Sequence, residues 1–153
     1  MPAAATERTQ SREEAAAICN GAAQLCDVIV GNDEEFGLLA GMQGDSLAKA
    51  AEYASRSDRI VVHKMGGRGS VTFAEGSSFE TAIFSVAALK PTGAGDAFLA
   101  SFCLGLAESR AVEDAVLRGS AAAAIVVTKV GCAPAMPTLA ELETFMLKTA
   151  QED

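Results

Sequence analysis

The segment Lys90-Pro91-Thr92-Gly93-Ala94-Gly95-Asp96-Ala97-Phe98 holds the residue types needed to handle a phosphate group. Gly93 and Gly95 let the main chain approach a ligand closely and take angles that other residues resist. The N–H groups of Gly93, Ala94 and Gly95 come at the entry to an apolar helix-forming run. Unpaired donors and the helix dipole there favour an anion. An aspartate at the mouth of an anion site is electrostatically unfavourable unless it has a task. Taking the proton from a hydroxyl that attacks the phosphate is such a task, and the backbone donors would then stabilise charge growing on the transferred group. The same spacing also fits a structural use, with Asp96 capping the helix and the glycines turning the chain, and spacing alone does not separate the two. A dinucleotide-binding loop fits less well, because Phe98 stands at the third glycine position and no acidic residue ends a following strand. A P-loop is excluded by the absence of its GK[ST] ending.

Other chemistry-bearing residues are sparse. Asn32 and Glu35 have the spacing of a capping box, and Asp33 and Glu34 suit the first turn of a helix through the dipole. His63 is the sole histidine; it lies in an apolar run without a nucleophile pattern beside it and reads as structural. Lys64, at the end of that run before Gly66-Gly67-Arg68-Gly69, is the better candidate for a phosphate contact, whereas Arg68 reads as a solvated turn residue. Cys19, Cys26, Cys103 and Cys132 have no CxxC spacing and no nearby histidine, so zinc and redox motifs are not expected, and burial as small apolar side chains is.

These residues need elements to place them. Ser11–Leu25 has helical spacing at Ala15, Ile18, Ala22 and Leu25, with Ser11 and Glu14 as a capping box. Asp27–Gly31 and Arg59–Lys64 are apolar runs of the kind found in strands buried on both faces. Helices are expected over Asn32–Ala40, ended by Gly41, and over Ser46–Ser55. Ser70–Ala74 and Ser78–Phe84 form a hairpin around Glu75-Gly76. Three further helices follow over Asp96–Leu106, Val112–Val127 and Thr138–Lys148, the last with a Thr138/Glu141 capping box. Strands separated by helices indicate a parallel sheet covered on both faces, in one α/β unit over residues 1–153.

The 153 residues suffice for one domain with a real core. Trp is absent and aromatics make up 5%, so packing should rest on close helix contacts and branched aliphatics. Twelve basic against twenty acidic side chains give a net charge of −8, which argues against nucleic acid or an anionic membrane as a partner. No apolar stretch is long enough to span a bilayer, and the polar N-terminal segment lacks the apolar core of a signal peptide. A soluble, cytoplasmic protein is expected.

The segment PTGAGDAF resembles the C-terminal signature of the ribokinase-like (pfkB) carbohydrate kinases. Gly31-Asn32-Asp33-Glu34-Glu35 resembles that family's N-x-x-E motif, Lys64–Gly69 its strand-end loop near the nucleotide phosphates, and Ala122–Gly131 the helix and turn walling the adenine. The wording of VIVGNDEEFGLLAG, KMGGRGSVTF, LKPTGAGDAF and GCAPAMPT is closest to the family's bacterial 5-dehydro-2-deoxygluconokinase branch of inositol breakdown. The resemblance spans about residues 13–147 and implies the C-terminal part of a three-layer α/β/α fold with a mostly parallel sheet. The N-terminal substrate and lid part of the family has no counterpart here. The resemblance implies ATP-dependent phosphorylation of a sugar or sugar-acid hydroxyl, with Asp96 as base and Gly93, Ala94 and Gly95 as the anion hole. It implies nucleotide contacts from Lys64, Gly66, Gly69, Thr92, Ala123 and Val127. Asn32 and Glu35 would organise Mg²⁺, which keeps several waters and takes few carboxylates. Lys90-Pro91 stands where relatives carry Asp-Thr, which leaves a monovalent cation doubtful. A sheet without its N-terminal strands would expose an apolar edge, open to self-association or to another polypeptide. The rival reading is a non-catalytic nucleotide-binding or association fragment.

Overall fold

A computed structural model describes residues 3–41 and 44–150, with side chains from Ser11 onward. The chain divides into two compact units, one formed by residues 1–66 and 70–80, the other by 67–69 and 81–153.

The first unit holds α1 (Ala3–Ala23), β1 (Val28–Asn32), α2 (Asp33–Ala40), α3 (Ser46–Tyr53), β2 (Ile60–Lys64), β3 (Ser70–Ala74) and β4 (Ser77–Thr81, whose last residue falls to the second unit). The sheet order is β1-β2-β3-β4. β1 and β2 run parallel, with Asn32 opposite Lys64, while β3 runs antiparallel to β2. The sheet is therefore mixed: after the βαβ-type crossover the chain reverses between Lys64 and Ser70, and it turns again at Glu75-Gly76 between β3 and β4. α1 begins upstream of Ser11, so Ser11 lies inside the helix and does not cap it. α2 starts as its sequence requires, on the Asn32/Glu35 capping box, and stops at Gly41 with φ of 84°. Phe36, Ala50, Tyr53 and Val61 form the core, with Ile29, Leu39 and Phe73 packed against them. Asn20 ties α1 in place, donating to the Leu39 carbonyl at 3.2 Å and accepting from the Tyr53 hydroxyl.

The second unit holds α4 (Ala94–Ala107), α5 (Val112–Val127) and α6 (Leu139–Thr149). α4 begins two residues before the expected Asp96, and β4 ends at Thr81, short of the expected Phe84. Small residues let α4 and α5 approach closely. A Cβ on Gly105 would lie 2.9 Å from the Ala115 Cβ, and one on Gly119 would lie 3.0 Å from the Phe98 ring. Ala97, Ala121, Ala122, Ile125, Val126 and Leu142 form this core, with Phe84 edge-on to Phe145. Packing by close helix contact, expected from the scarcity of rings, is what the helices do. All four cysteines are free and exposed, against the expectation of burial. They fall on outward helix faces and in a surface turn, where position outweighs average burial preference. No helix among the described residues is long and apolar enough to cross a membrane.

Candidate active site

In the second unit the chain enters α4 through Gly93, whose φ of 90° and ψ of −9° are left-handed. That conformation suits glycine, and the space demands it too, because a Cβ would lie 2.9 Å from the Cys132 Sγ and 3.4 Å from Val126. No side chain caps the helix. Ala94 donates its N–H to the Pro91 carbonyl at 3.2 Å, and Ala97 donates to Gly93 at 3.0 Å. The amides of Gly95 and Asp96 have no such acceptor among the described residues, as expected of the first turn of a helix. Of the expected anion-hole amides, those of Gly93 and Gly95 are thus without a main-chain acceptor among the described residues, as is that of Asp96, while Ala94 is committed to the turn. Asp96 is exposed in that first turn. It does not cap α4, because the helix starts before it. The loop is moored behind by the Val127 carbonyl, which accepts from Leu89 at 2.7 Å and Lys90 at 3.2 Å. Ala123 and Val127 are half-buried, one helical turn apart on the least covered stripe of α5. Thr92 and Gly69 also belong to this unit, and Gly69, with φ of 87°, brings its Cα so close to Thr81 that a Cβ would lie 2.2 Å from the Thr81 carbonyl oxygen.

In the first unit Asn32, Glu35, Lys64 and Gly66 gather at the C-terminal ends of the parallel strands. Glu35 donates its N–H to Asn32 Oδ1 at 2.9 Å, and its own Oε2 accepts the Asn32 N–H at 2.7 Å. One carboxylate oxygen of Glu35 is therefore held by the backbone while Oε1 remains available at an exposed position. Asn32 Oδ1 is spent on the cap. No group of three or more His, Cys, Asp or Glu able to hold a metal occurs among the described residues. The donor set thus fits a cation that keeps most of its water, as Mg²⁺ does, and not a protein cage. Gly66 adopts φ of 59° with open space around its Cα.

Sequence reasoning missed two relationships. His63, almost fully buried, brings Nε2 to 3.0 Å from Asp33 Oδ1 and stands edge-on to Phe36. It thus stands against the first residue of α2, without the geometry of a hydrogen bond. Cys132 against Gly93 is the other. Neither pair has a local signature, since both join residues distant in the chain.

A family model described as pfkB family carbohydrate kinase matches residues 7–139. The chain belongs to the pfkB family of carbohydrate kinases. A 5-dehydro-2-deoxygluconokinase of Bacillus thuringiensis is 38% identical over 148 residues, covering 94% of this chain and 44% of that protein. Among solved structures, a ribokinase of Thermotoga maritima is similar with a TM-score of 0.75 at 30% identity, over 81% of this chain and 43% of the other. An Arabidopsis thaliana ribokinase complexed with ribose and ATP gives 0.69 at 26% identity, over 78% and 40%. The fold is accordingly α/β and ribokinase-like. The chain spans less than half the length of the relatives it matches.

Proposed function

We propose that this chain is the nucleotide-binding part of a pfkB sugar kinase that transfers the γ-phosphoryl group of ATP to a hydroxyl of a small sugar or sugar acid. The observation that carries this reading is the uncapped start of α4, where the Gly95 and Asp96 amides and an exposed aspartate share one turn. The Asp96 carboxylate would take the hydroxyl proton as the oxygen attacks the γ-phosphorus. The bond from that phosphorus to the bridging oxygen then breaks, and ADP leaves with the electron pair. The free amides and the positive end of α4 would stabilise charge on the phosphoryl oxygens. Lys64, Gly66, Gly69 and Thr92 would neighbour the nucleotide phosphates, and the stripe of Ala123 and Val127 its adenine. Mg²⁺, when bound, would neutralise phosphate charge; the free oxygen of Glu35 would hold its water shell, and Asn32 would keep that carboxylate oriented. The kinship with 5-dehydro-2-deoxygluconokinases supports 5-dehydro-2-deoxygluconate as the acceptor, in inositol breakdown in the cytoplasm.

The coverage of less than half of each relative favours a second reading, in which this chain binds nucleotide and acts only with a complementing polypeptide. Calorimetric titration of the chain with Mg-ATP, followed by Asp96→Asn in a complete enzyme, tests both. The kinase reading expects saturable nucleotide binding, unchanged by the substitution, and turnover lower by roughly 10²–10⁴-fold. Unchanged turnover would remove Asp96 from the base role. Absence of nucleotide binding by the folded chain would assign part of the site to the complementing polypeptide.

A further inference from the structure

Behind the entry to α4 lies the turn that follows α5, wholly within the second unit. A Cβ on Gly93 would lie 2.9 Å from the Cys132 Sγ, 3.4 Å from Val126 Cγ1 and 3.6 Å from Met136 Cε. The thiol therefore fills the room that a side chain at position 93 would need, and it packs on the main chain of the loop itself. Cys132 is held in its turn. Its carbonyl accepts the Ala135 N–H at 3.1 Å, and Ala135 is fully buried in the same core cluster as Val126. On the other flank the loop is tied by hydrogen bonds from Leu89 and Lys90 to the Val127 carbonyl. Between these two moorings the chain crosses only Pro91 and Thr92.

We infer that Cys132 is a positioning residue of the candidate active site: its sulfur, anchored to the core through Ala135, holds Gly93 in its left-handed conformation and so sets the direction in which the Gly95 and Asp96 amides and the Asp96 carboxylate leave the turn. The inference rests on the proposed phosphoryl transfer, because it names what holds that reaction's anion-binding donors. Oriented main-chain donors lose their value when they move. A misplacement of ~1 Å costs on the order of 10²-fold in rate, and a working group must stay within about 0.5 Å of its productive geometry. Gly93 cannot lock itself, since it has no side chain and the most permissive backbone of any residue. The lock comes from outside, and the sulfur is its nearest part. Cys132 acts by filling space and not by thiol chemistry, so an apolar group of like size would serve in its place.

The test uses the ¹⁵N-labelled full chain as Cys132→Ala, which removes the sulfur, and as Cys132→Val, which refills its place with a methyl and no thiol. Without ligand, Cys132→Ala should shift the amide signals of Gly93–Asp96. It should also hasten hydrogen exchange at Ala97, whose acceptor is Gly93, by about tenfold, with α5 and α6 protected as in the parent. On titration with Mg-ATP, affinity should fall about tenfold in Cys132→Ala and stay within about threefold of the parent in Cys132→Val. If the parent chain binds no Mg-ATP, that failure falls on the nucleotide-binding reading of this chain, and the amide signature alone decides the role of Cys132. Unchanged loop signals in Cys132→Ala, a perturbation spread evenly over α5 and α6, or a Cys132→Val variant as impaired as Cys132→Ala would each overturn the inference. In a parent that binds, unchanged affinity in Cys132→Ala would overturn it too.

Discussion

The Cys132 Sγ stands 2.9 Å from where a Cβ on Gly93 would be, so the left-handed entry to α4 is guarded by a thiol from the turn after α5. Gly93→Ala therefore meets two separate penalties, a backbone angle that alanine resists and a contact with sulfur. The first costs about 1–2 kcal/mol. The second should be relieved by removing the sulfur. In urea unfolding, Gly93→Ala is expected to be destabilising, and adding Cys132→Ala should recover part of the loss but not all. Strict additivity of the two substitutions would show that the sulfur does not press on this loop.

Glu35 serves the fold and the proposed chemistry with different atoms. Its Oε2 and amide complete the capping box with Asn32, and only Oε1 is left for a hydrated cation. Glu35→Gln keeps an acceptor for the Asn32 N–H, so stability should fall by less than ~0.5 kcal/mol, whereas Glu35→Ala should lose about 1 kcal/mol. If the carboxylate holds the Mg²⁺ water shell, both variants should weaken the Mg²⁺-dependent part of nucleotide binding equally. An unaffected Mg²⁺ dependence in the glutamine variant would confine Glu35 to capping.

Much of this was legible because its signals are local. The Asn32/Glu35 and Thr138/Glu141 boxes, the Gly41 stop, the Glu75-Gly76 turn and the bounds of α5 depend on neighbours within a few residues. The direction of β3 beside β2 was not legible, since the turn after Lys64 contains no mark of which edge the hairpin will join. Ser11 misled because it carries a cap pattern inside a longer helix. The candidate site was readable where it coincides with a motif, at Asn32, Glu35 and Gly93–Asp96. It was unreadable where tertiary packing brings in His63 and Cys132.

Glu141 provides a pH-dependent test of the second unit. The Thr138 backbone N–H, then Lys129 and the Thr138 hydroxyl, hold its carboxylate down at about 2, below the ordinary value of 4.5. The Lys129 Nζ lies 3.1 Å from Oε1. Because the folded-state value is depressed, the stabilisation is present above the unfolded value and is lost as pH falls from about 4.5 toward about 2. Glu141→Gln should therefore lower stability most near neutrality, flatten the profile in that window, and converge with the parent protein as pH approaches about 2. Urea midpoints followed from pH 6 to about 2 check this; identical slopes in both proteins would show that another carboxylate controls the acid limb.

The edge of the sheet yields the last prediction. β1 has one neighbour, β2, so its other edge offers unpaired main-chain groups among the described residues. Its residues Val28, Ile29 and Val30 are only half-buried, and a hollow of about 70 Å³ between Ile29, Val30, Phe36 and Leu39 lies beside it. An apolar strand with an open edge favours pairing with another chain. The chain should therefore sediment as larger species with rising concentration and bind an apolar dye. Co-expression with the remaining part of a full-length relative, of which this chain matches 44%, should suppress both effects if that part pairs with β1. Such suppression would also identify the open edge as the junction, because a contact elsewhere would leave β1 free to associate. A chain that stays monomeric and dye-free at all concentrations would show that the edge is already covered.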